Sequence, residues 1–264
     1  MSTSIYVVNA FCITGDDGNP AGVCLLPDGD ADAAWMQRVA RQMNLPETAF
    51  VRRRDANRYA IRWFSPAKEI PLCGHATLAS THVLYEQGLV DDGPIEFIGA
   101  TGPLIATKSH PGIELDFPAI PCAGATVPDW FEPAFGMTPV RFLAGRGKYL
   151  AEVSSAQEVL GLAPNFDVLR RSGDRGVIVT SRSADDAYDI VSRYFASYVG
   201  VDEDPVTGSA HCCLGPYWSA LLDKTRLRAH QASPRGGRLL VRTEGDRVHL
   251  AGEARTVLAG RLLI

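Results

Sequence analysis

Three observations predict an α+β protein built from two similar halves. Each half has one strongly apolar helical segment, Gly74–Gln87 and Gly208–Leu222, among many short strand candidates. Both helices open in related ways. Leu72-Cys73-Gly74-His75-Ala76-Thr77 returns in looser form as Val206-Thr207-Gly208-Ser209-Ala210-His211. A Pro- and Gly-rich stretch from Pro118 to Pro139 lies between them, and the strand pattern restarts beyond it. The reading is a duplication at the level of fold, with halves at 1–117 and 118–264 and a period too long for a solenoid.

The elements follow in order. Ser4–Phe11 is β-branched and loosely alternating, and Gly18-Asn19-Pro20 supplies a turn before the strand Ala21–Leu26. Asp32 is placed to cap a helix whose Trp35, Met36, Val39, Ala40 and Met43 recur at spacings of three and four. Thr48–Arg53 and Arg58–Phe64 are strands split by Asp55-Ala56-Asn57. In the helix Gly74–Gln87, Leu78, Thr81, His82, Leu84 and Tyr85 leave little polar surface, and Gly88 ends it. Strands follow at Ile95–Ile98, Leu104–Lys108 and Gly112–Phe117. The second half predicts strands at Arg141–Ala144, Tyr149–Val153, Gly176–Thr180 and Tyr188–Phe195, with short helices at Ser155–Gly161 and Pro164–Leu169. After its apolar helix come four strands: Leu227–Gln231, Arg238–Thr243, Arg247–Ala251 and Arg255–Ile264.

Composition narrows the function classes. A chain of 264 residues, 46% hydrophobic and 21% charged, has the make-up of a soluble globular protein with a substantial core. A net charge of −4 gives no basic footprint for nucleic acid. The longest apolar runs, Val23–Leu26 and Val257–Ile264, are too short to span a membrane. The start, Met1-Ser2-Thr3-Ser4, lacks the basic and apolar regions of a signal peptide. Six cysteines, two of them adjacent, fit a reduced cytoplasmic protein better than a disulfide scaffold.

Six strings, in order, carry a resemblance over nearly the whole chain. They are Gly18-Asn19-Pro20-Ala21-Gly22-Val23, Glu47-Thr48-Ala49-Phe50, Arg62-Trp63-Phe64-Ser65-Pro66, Glu69-Ile70-Pro71-Leu72-Cys73-Gly74-His75-Ala76-Thr77, Arg193-Tyr194-Phe195 and Glu203-Asp204-Pro205-Val206-Thr207-Gly208-Ser209-Ala210. Together they resemble the phenazine-biosynthesis isomerase (PhzF-like) family within the diaminopimelate epimerase-like fold. The resemblance implies two pseudo-symmetric domains, each a curled, mostly antiparallel sheet around a central helix, with the active site in the cleft between them. It also implies that the last strand, 258–264, completes the first domain, and that a homodimer is to be expected. One departure is Asn9-Ala10-Phe11, where the family's usual string begins with Asp.

The candidate site residues follow from chemistry and resemblance together. Glu47 opens a strand among apolar neighbours, where partial desolvation raises a carboxyl pKa towards neutrality and suits it to take and return a proton. On sequence alone an exposed strand-edge Glu is the commoner case. The resemblance assigns Glu47 the proton shuttle, and substrate contact to His75, Asp204 and Ser209. Gly74 with His75, and Gly208 with Ser209, open two helices whose N–H groups suit a carboxylate. The bland readings are a capping or core His75, an Asp204 that caps a loop, and a Ser209 that only starts a helix.

Cys73 separates two mechanisms. Cofactor-free epimerases of this fold place a cysteine in each half, but the second position here is Thr207, whose hydroxyl does not titrate near neutral pH. Cys73 then reads as a packing residue. A metal site from Cys73, His75, His211, Cys212 and Cys213 lacks Cys-x-x-Cys spacing, and no loop has dinucleotide or P-loop spacing, so no metal and no cofactor is expected. Gln231-Ala232-Ser233-Pro234-Arg235-Gly236-Gly237-Arg238 resembles the family's closing segment, and offers Arg235 or Arg238 to an acidic substrate. The expectation is a cofactor-independent isomerase that moves a proton within a small unsaturated or cyclic amino or hydroxy carboxylate, with Glu47 as general acid and base. Its rivals are an epimerase or racemase using Cys73 and a non-catalytic carboxylate-binding protein.

Overall fold

The computed structural model describes residues 3–27, 29, 32–110, 112–172 and 175–263. It divides into two compact units, Met1–Asp116 with Leu250–Ile264, and Phe117–His249.

The first unit contains β1 (Ser4–Cys12), β2 (Asn19–Leu25), α1 (Ala33–Met43), β3 (Glu47–Arg53), β4 (Arg58–Phe64), β5 (Glu69–Ile70), α2 (Gly74–Glu86), β6 (Ile95–Gly99), β7 (Gly102–Lys108) and β8 (Ile113–Pro118). β1–β2, β3–β4, β6–β7 and β7–β8 are antiparallel, while β2–β3 and β4–β6 are parallel across their helical crossovers, and β5 adds to β4. Expected as two strands, Arg247–Ala251 and Arg255–Ile264 form one strand, β16 (Arg247–Arg261), because no turn residue interrupts the ladder. β1 pairs antiparallel with β16 from Glu253 to Arg261, and β8 also neighbours β16, so this sheet closes on itself. Ile264, the expected end of that strand, lies outside the described residues.

α1 forms as its spacing dictates. The Asp32 carboxylate accepts from the amides of Ala34 and Trp35 at 3.1 and 3.2 Å, and Asn44 closes the helix in the left-handed region. Its inner face, Met36, Val39 and Ala40, packs with Ile5, Cys24, Phe50 and Phe64. α2 has no outer face: every residue from His75 to Leu84 except His82 is buried, against β1, β2 and β3. Its hydroxyls survive burial by bonding back along the helix. Thr77, Ser80 and Thr81 donate to the carbonyls of Cys73, Ala76 and Thr77 at 2.6, 2.7 and 2.9 Å. Asn9, the departure from the family string, donates its side-chain amide to the Gly15 carbonyl at 2.7 Å, a bond an ionised Asp could not make.

The second unit contains β9 (Ala123–Gly124), α3 (Phe131–Phe135), β10 (Arg141–Gly145), β11 (Lys148–Glu152), α4 (Ala156–Leu160), α5 (Phe166–Ser172), β12 (Gly176–Arg182), β13 (Ile190–Phe195), a 3-10 turn at Ser197–Val199, α6 (Gly208–Leu222), β14 (Arg226–Gln231) and β15 (Gly237–Glu244). Its pairing order repeats that of the first unit. β10–β11 is antiparallel, β11–β12 parallel, β12–β13 antiparallel, β13–β14 parallel and β14–β15 antiparallel. As with α2 in the first unit, α6 lies in the crossover between the second parallel pair.

The stretch Pro118 to Pro139 is not an empty linker. It holds β9 and α3, and α3 contributes Phe131, Ala134 and Phe135 to a core with Phe142, Val159, Leu169, Val177 and Phe195. The strand expected from Tyr188 begins at Ile190, because the Tyr188 amide is held in a turn by the Asp185 carbonyl. α6 tolerates an internal proline for a visible reason. Pro216 cannot donate to the Cys212 carbonyl one turn back, and that carbonyl instead accepts from the Ile120 amide at 3.0 Å.

Candidate active site

Glu47 is the first residue of β3, in register beside Ala21 of β2, and follows Pro46. About a fifth of that side chain, 21%, remains exposed. Its Oε2 lies 3.3 Å from Nε2 of His75, the second residue of α2. On the other side of the imidazole, Nδ1 is 3.5 Å from the Cys73 sulfur. Cys73 is the N-cap of α2 in extended conformation, and makes no side-chain bond to the first-turn amides. Those amides, beginning with Gly74 at the first helical position, are donors that the helix itself cannot satisfy.

Two influences compete at His75. The neighbouring carboxylate favours the imidazolium, and enclosure opposes it. Enclosure wins, since the ring is buried and the 3.3 Å contact is not aligned as a hydrogen bond. Burial lowers the His75 pKa from 6.5 to about 3. The ring is therefore neutral at physiological pH and serves as a hydrogen-bond donor or acceptor beside Glu47.

The ligand atoms of Glu47, Cys73 and His75 all lie within 4.8 Å of one another, the group among the described residues whose donors could converge on a metal ion. It differs from the His/Cys set weighed from sequence. It also draws Cys73, expected as a packing residue, into contact with the histidine.

In the second unit the equivalent N-cap is Thr207, again extended and without a side-chain bond to the helix amides. Its hydroxyl donates to the Asp204 carboxylate. Gln231, fully buried on β14, braces both residues. Its Oε1 accepts from the Thr207 amide at 2.8 Å, and its Nε2 donates to the Asp204 carbonyl at 2.7 Å and the Thr207 hydroxyl at 3.2 Å. Gly208 is buried at the first helical position and Ser209 is exposed at the second, the place His75 holds in α2. His211 bonds through Nδ1 to the Thr207 carbonyl at 2.8 Å, as Thr77 bonds to that of Cys73. Burial lowers the His211 pKa to about 4, against the opposing pull of that carbonyl.

Sequence reasoning placed Gly74 and His75 at the start of α2, Asp204, Gly208 and Ser209 at the start of α6, and Glu47 at the start of a strand; the structure brings Glu47 to His75. The sequence reading overlooked Gln231 as the brace, although the residue stands first in the segment from which the two arginines were singled out. The available signal was a lone glutamine at an inward position of a strand that alternates buried and exposed residues.

The fold has solved relatives. It matches a hydroxyproline epimerase from Agrobacterium vitis with a TM-score of 0.62 over 99% of this chain and 92% of that one, at 13% identity, a likeness of fold alone. The family is fixed by sequence. The model of the phenazine biosynthesis-like (PhzC-PhzF) family matches residues 8–260, and the chain belongs to that family. It is 48% identical to an uncharacterized isomerase of Halalkalibacterium halodurans, with both chains fully covered. A PhzF family protein of Enterococcus faecalis matches with a TM-score of 0.94 at 37% identity, again over all of both chains. The protein is an isomerase of this family.

Proposed function

We propose that the protein moves a proton between two carbons of a small unsaturated or cyclic amino or hydroxy carboxylate, with Glu47 as both base and acid. The observation that carries this reading is the Glu47 carboxylate 3.3 Å from a buried, neutral His75 at the open end of α2. Ionised Glu47 removes a proton from a carbon activated by the adjacent unsaturation, leaving a delocalised carbanion. The protonated Glu47 then returns that proton to a second carbon of the same system, so no proton is gained or lost overall. His75 and the first-turn amides of α2 face the carboxylate or the charge that builds during transfer. Asp204, Gly208 and Ser209 contribute substrate contacts, with Asp204 held by Thr207 and Gln231.

An epimerase reading has one observation in its favour, the Cys73 sulfur 3.5 Å from His75 Nδ1, where a histidine could draw off the thiol proton. The second thiol it needs is replaced by Thr207, whose hydroxyl is already committed to Asp204.

The test is carbon–hydrogen exchange in D2O, followed by proton NMR over a panel of amino, hydroxy and cyclic diene carboxylates. Glu47→Gln is expected to lower exchange by roughly 10²–10⁴-fold, the range for loss of a general base, and Cys73→Ala to retain it. Treatment with a chelator is expected to leave the rate unchanged. Exchange that survives Glu47→Gln and vanishes in Cys73→Ala establishes thiol epimerisation instead. Tight binding without exchange for any compound establishes a binding protein.

A further inference from the structure

The three side chains that meet at the start of α2 are also a mixed set of metal donors. Glu47 offers a carboxylate oxygen, His75 a ring nitrogen and Cys73 a sulfur, and the three ligand atoms lie within 4.8 Å of one another. The Nε2 atom of His75 is buried and makes no hydrogen bond, on a side chain only 6% exposed, and it faces Glu47. A buried ring nitrogen without a partner is costly, and an electrophile that takes up its lone pair removes the cost. Burial keeps His75 neutral, so with the ring proton on Nδ1 that lone pair is available at physiological pH.

The distances suit a small tetrahedral ion. Four ligands around zinc place neighbouring N, O and S atoms about 3.3–3.6 Å apart. The Nε2–Oε2 separation is 3.3 Å. The sulfur has little more than about 1 Å to close to reach the same spacing. Cys73 makes no side-chain bond to the α2 amides, so its thiol can rotate without uncapping the helix. One thiolate, one imidazole and one carboxylate suit zinc better than magnesium or calcium, which take oxygen ligands. Electrostatics add a condition. The positive end of α2 favours a thiolate but opposes a bare cation, so the ion needs both anionic ligands, whose charges cancel its own. Glu47 keeps 21% of its side chain exposed, which leaves the set reachable from solvent.

We propose that Glu47, Cys73 and His75 bind a zinc ion, and that the ion silences the enzyme by occupying its base. Zinc bonds to the Cys73 sulfur, to Nε2 of His75 and to one oxygen of Glu47, with water in the fourth position, and the thiol proton leaves to solvent. The inhibition rests on Glu47 as the acid and base proposed above; the metal site does not. The active form is metal-free, so a chelator leaves it unchanged and restores exchange to the zinc-bound form.

The test begins with cobalt(II), a spectroscopic stand-in for zinc, added to the metal-free intact protein. Thiolate-to-cobalt charge-transfer absorption is expected in the near ultraviolet, saturating at one ion per chain, and zinc is expected to bleach it. Cys73→Ala should lose this absorption. Glu47→Gln should lower zinc affinity by roughly 10–100-fold or more, since removing even a partner outside the ligand shell costs that much. Saturating zinc is expected to stop carbon–hydrogen exchange in D2O. No thiolate band in the wild type, or a band that persists in Cys73→Ala, overturns the metal site and leaves the role of Glu47 standing. If Cys73→Ala does not fold, a Glu47→Gln protein that binds zinc as tightly as the wild type overturns the site equally. Zinc bound through all three ligands with exchange undiminished upholds the site and removes Glu47 as the base.

Discussion

Two buried histidines make stability depend on pH in one direction. His75 and His211 titrate near 3 and 4 when folded, and near 6.5 when unfolded. Between those values the unfolded chain binds more protons than the folded one, so stability is fully present above pH 6.5 and falls as the pH drops towards 4. Urea midpoints measured from pH 7 to pH 4.5 are expected to fall steadily, and His211→Gln to flatten the slope. At Gln231 the expectation concerns structure and substrate together. Gln231→Ala removes three hydrogen bonds and leaves the Thr207 amide and Asp204 carbonyl without a partner from that side chain. A loss of about 1–3 kcal/mol in unfolding free energy is expected, with a rise in KM, because Asp204 loses its brace. Unchanged KM in steady-state kinetics would remove Asp204 from the substrate contacts.

At the scale of the element, the close approach of β8 and β16 hangs on one residue. Gly112 has φ +81°, and a Cβ there would lie 2.2 Å from the Gly252 carbonyl oxygen. Neither strand can move without breaking its ladder. Gly112→Ala is therefore expected to cost about 1–3 kcal/mol or more, read from a denaturation midpoint. The two central helices are legible in the sequence because their apolar residues occur all round, a pattern a surface helix cannot carry. α3 and β9 are not, because Pro121, Pro128, Pro133 and Gly124 mask them as linker. Only the packing of Phe131 and Phe135 onto Phe142 and Phe195 makes a helix of five residues stable.

At the scale of the whole molecule, the first unit depends on the far end of the chain. β1 has β2 on one side and β16 on the other, with pairing from Ser4–Arg261 to Cys12–Glu253. A chain ended after Gly252 leaves the amides and carbonyls on one edge of β1 unpaired, next to a core that includes Ile5. That truncation is expected to abolish hydrogen-exchange protection of β1 and to promote aggregation. Retained protection in β1 would show that β2 and α2 suffice to hold it.

The sequence by itself determined what is local. It placed most strands and the two apolar helices, because side-chain periodicity and turn residues act over a few positions, and it picked out the residues that open α2 and α6 by their repeated string. The tertiary structure alone decided which strands pair in parallel, that two strand candidates are one, and that Glu47 meets His75 and Cys73. It also decided that Gln231 holds Asp204 and Thr207. Each is a contact between residues far apart in the chain, fixed by how sheets close around a buried helix, and no short-range pattern encodes that distance.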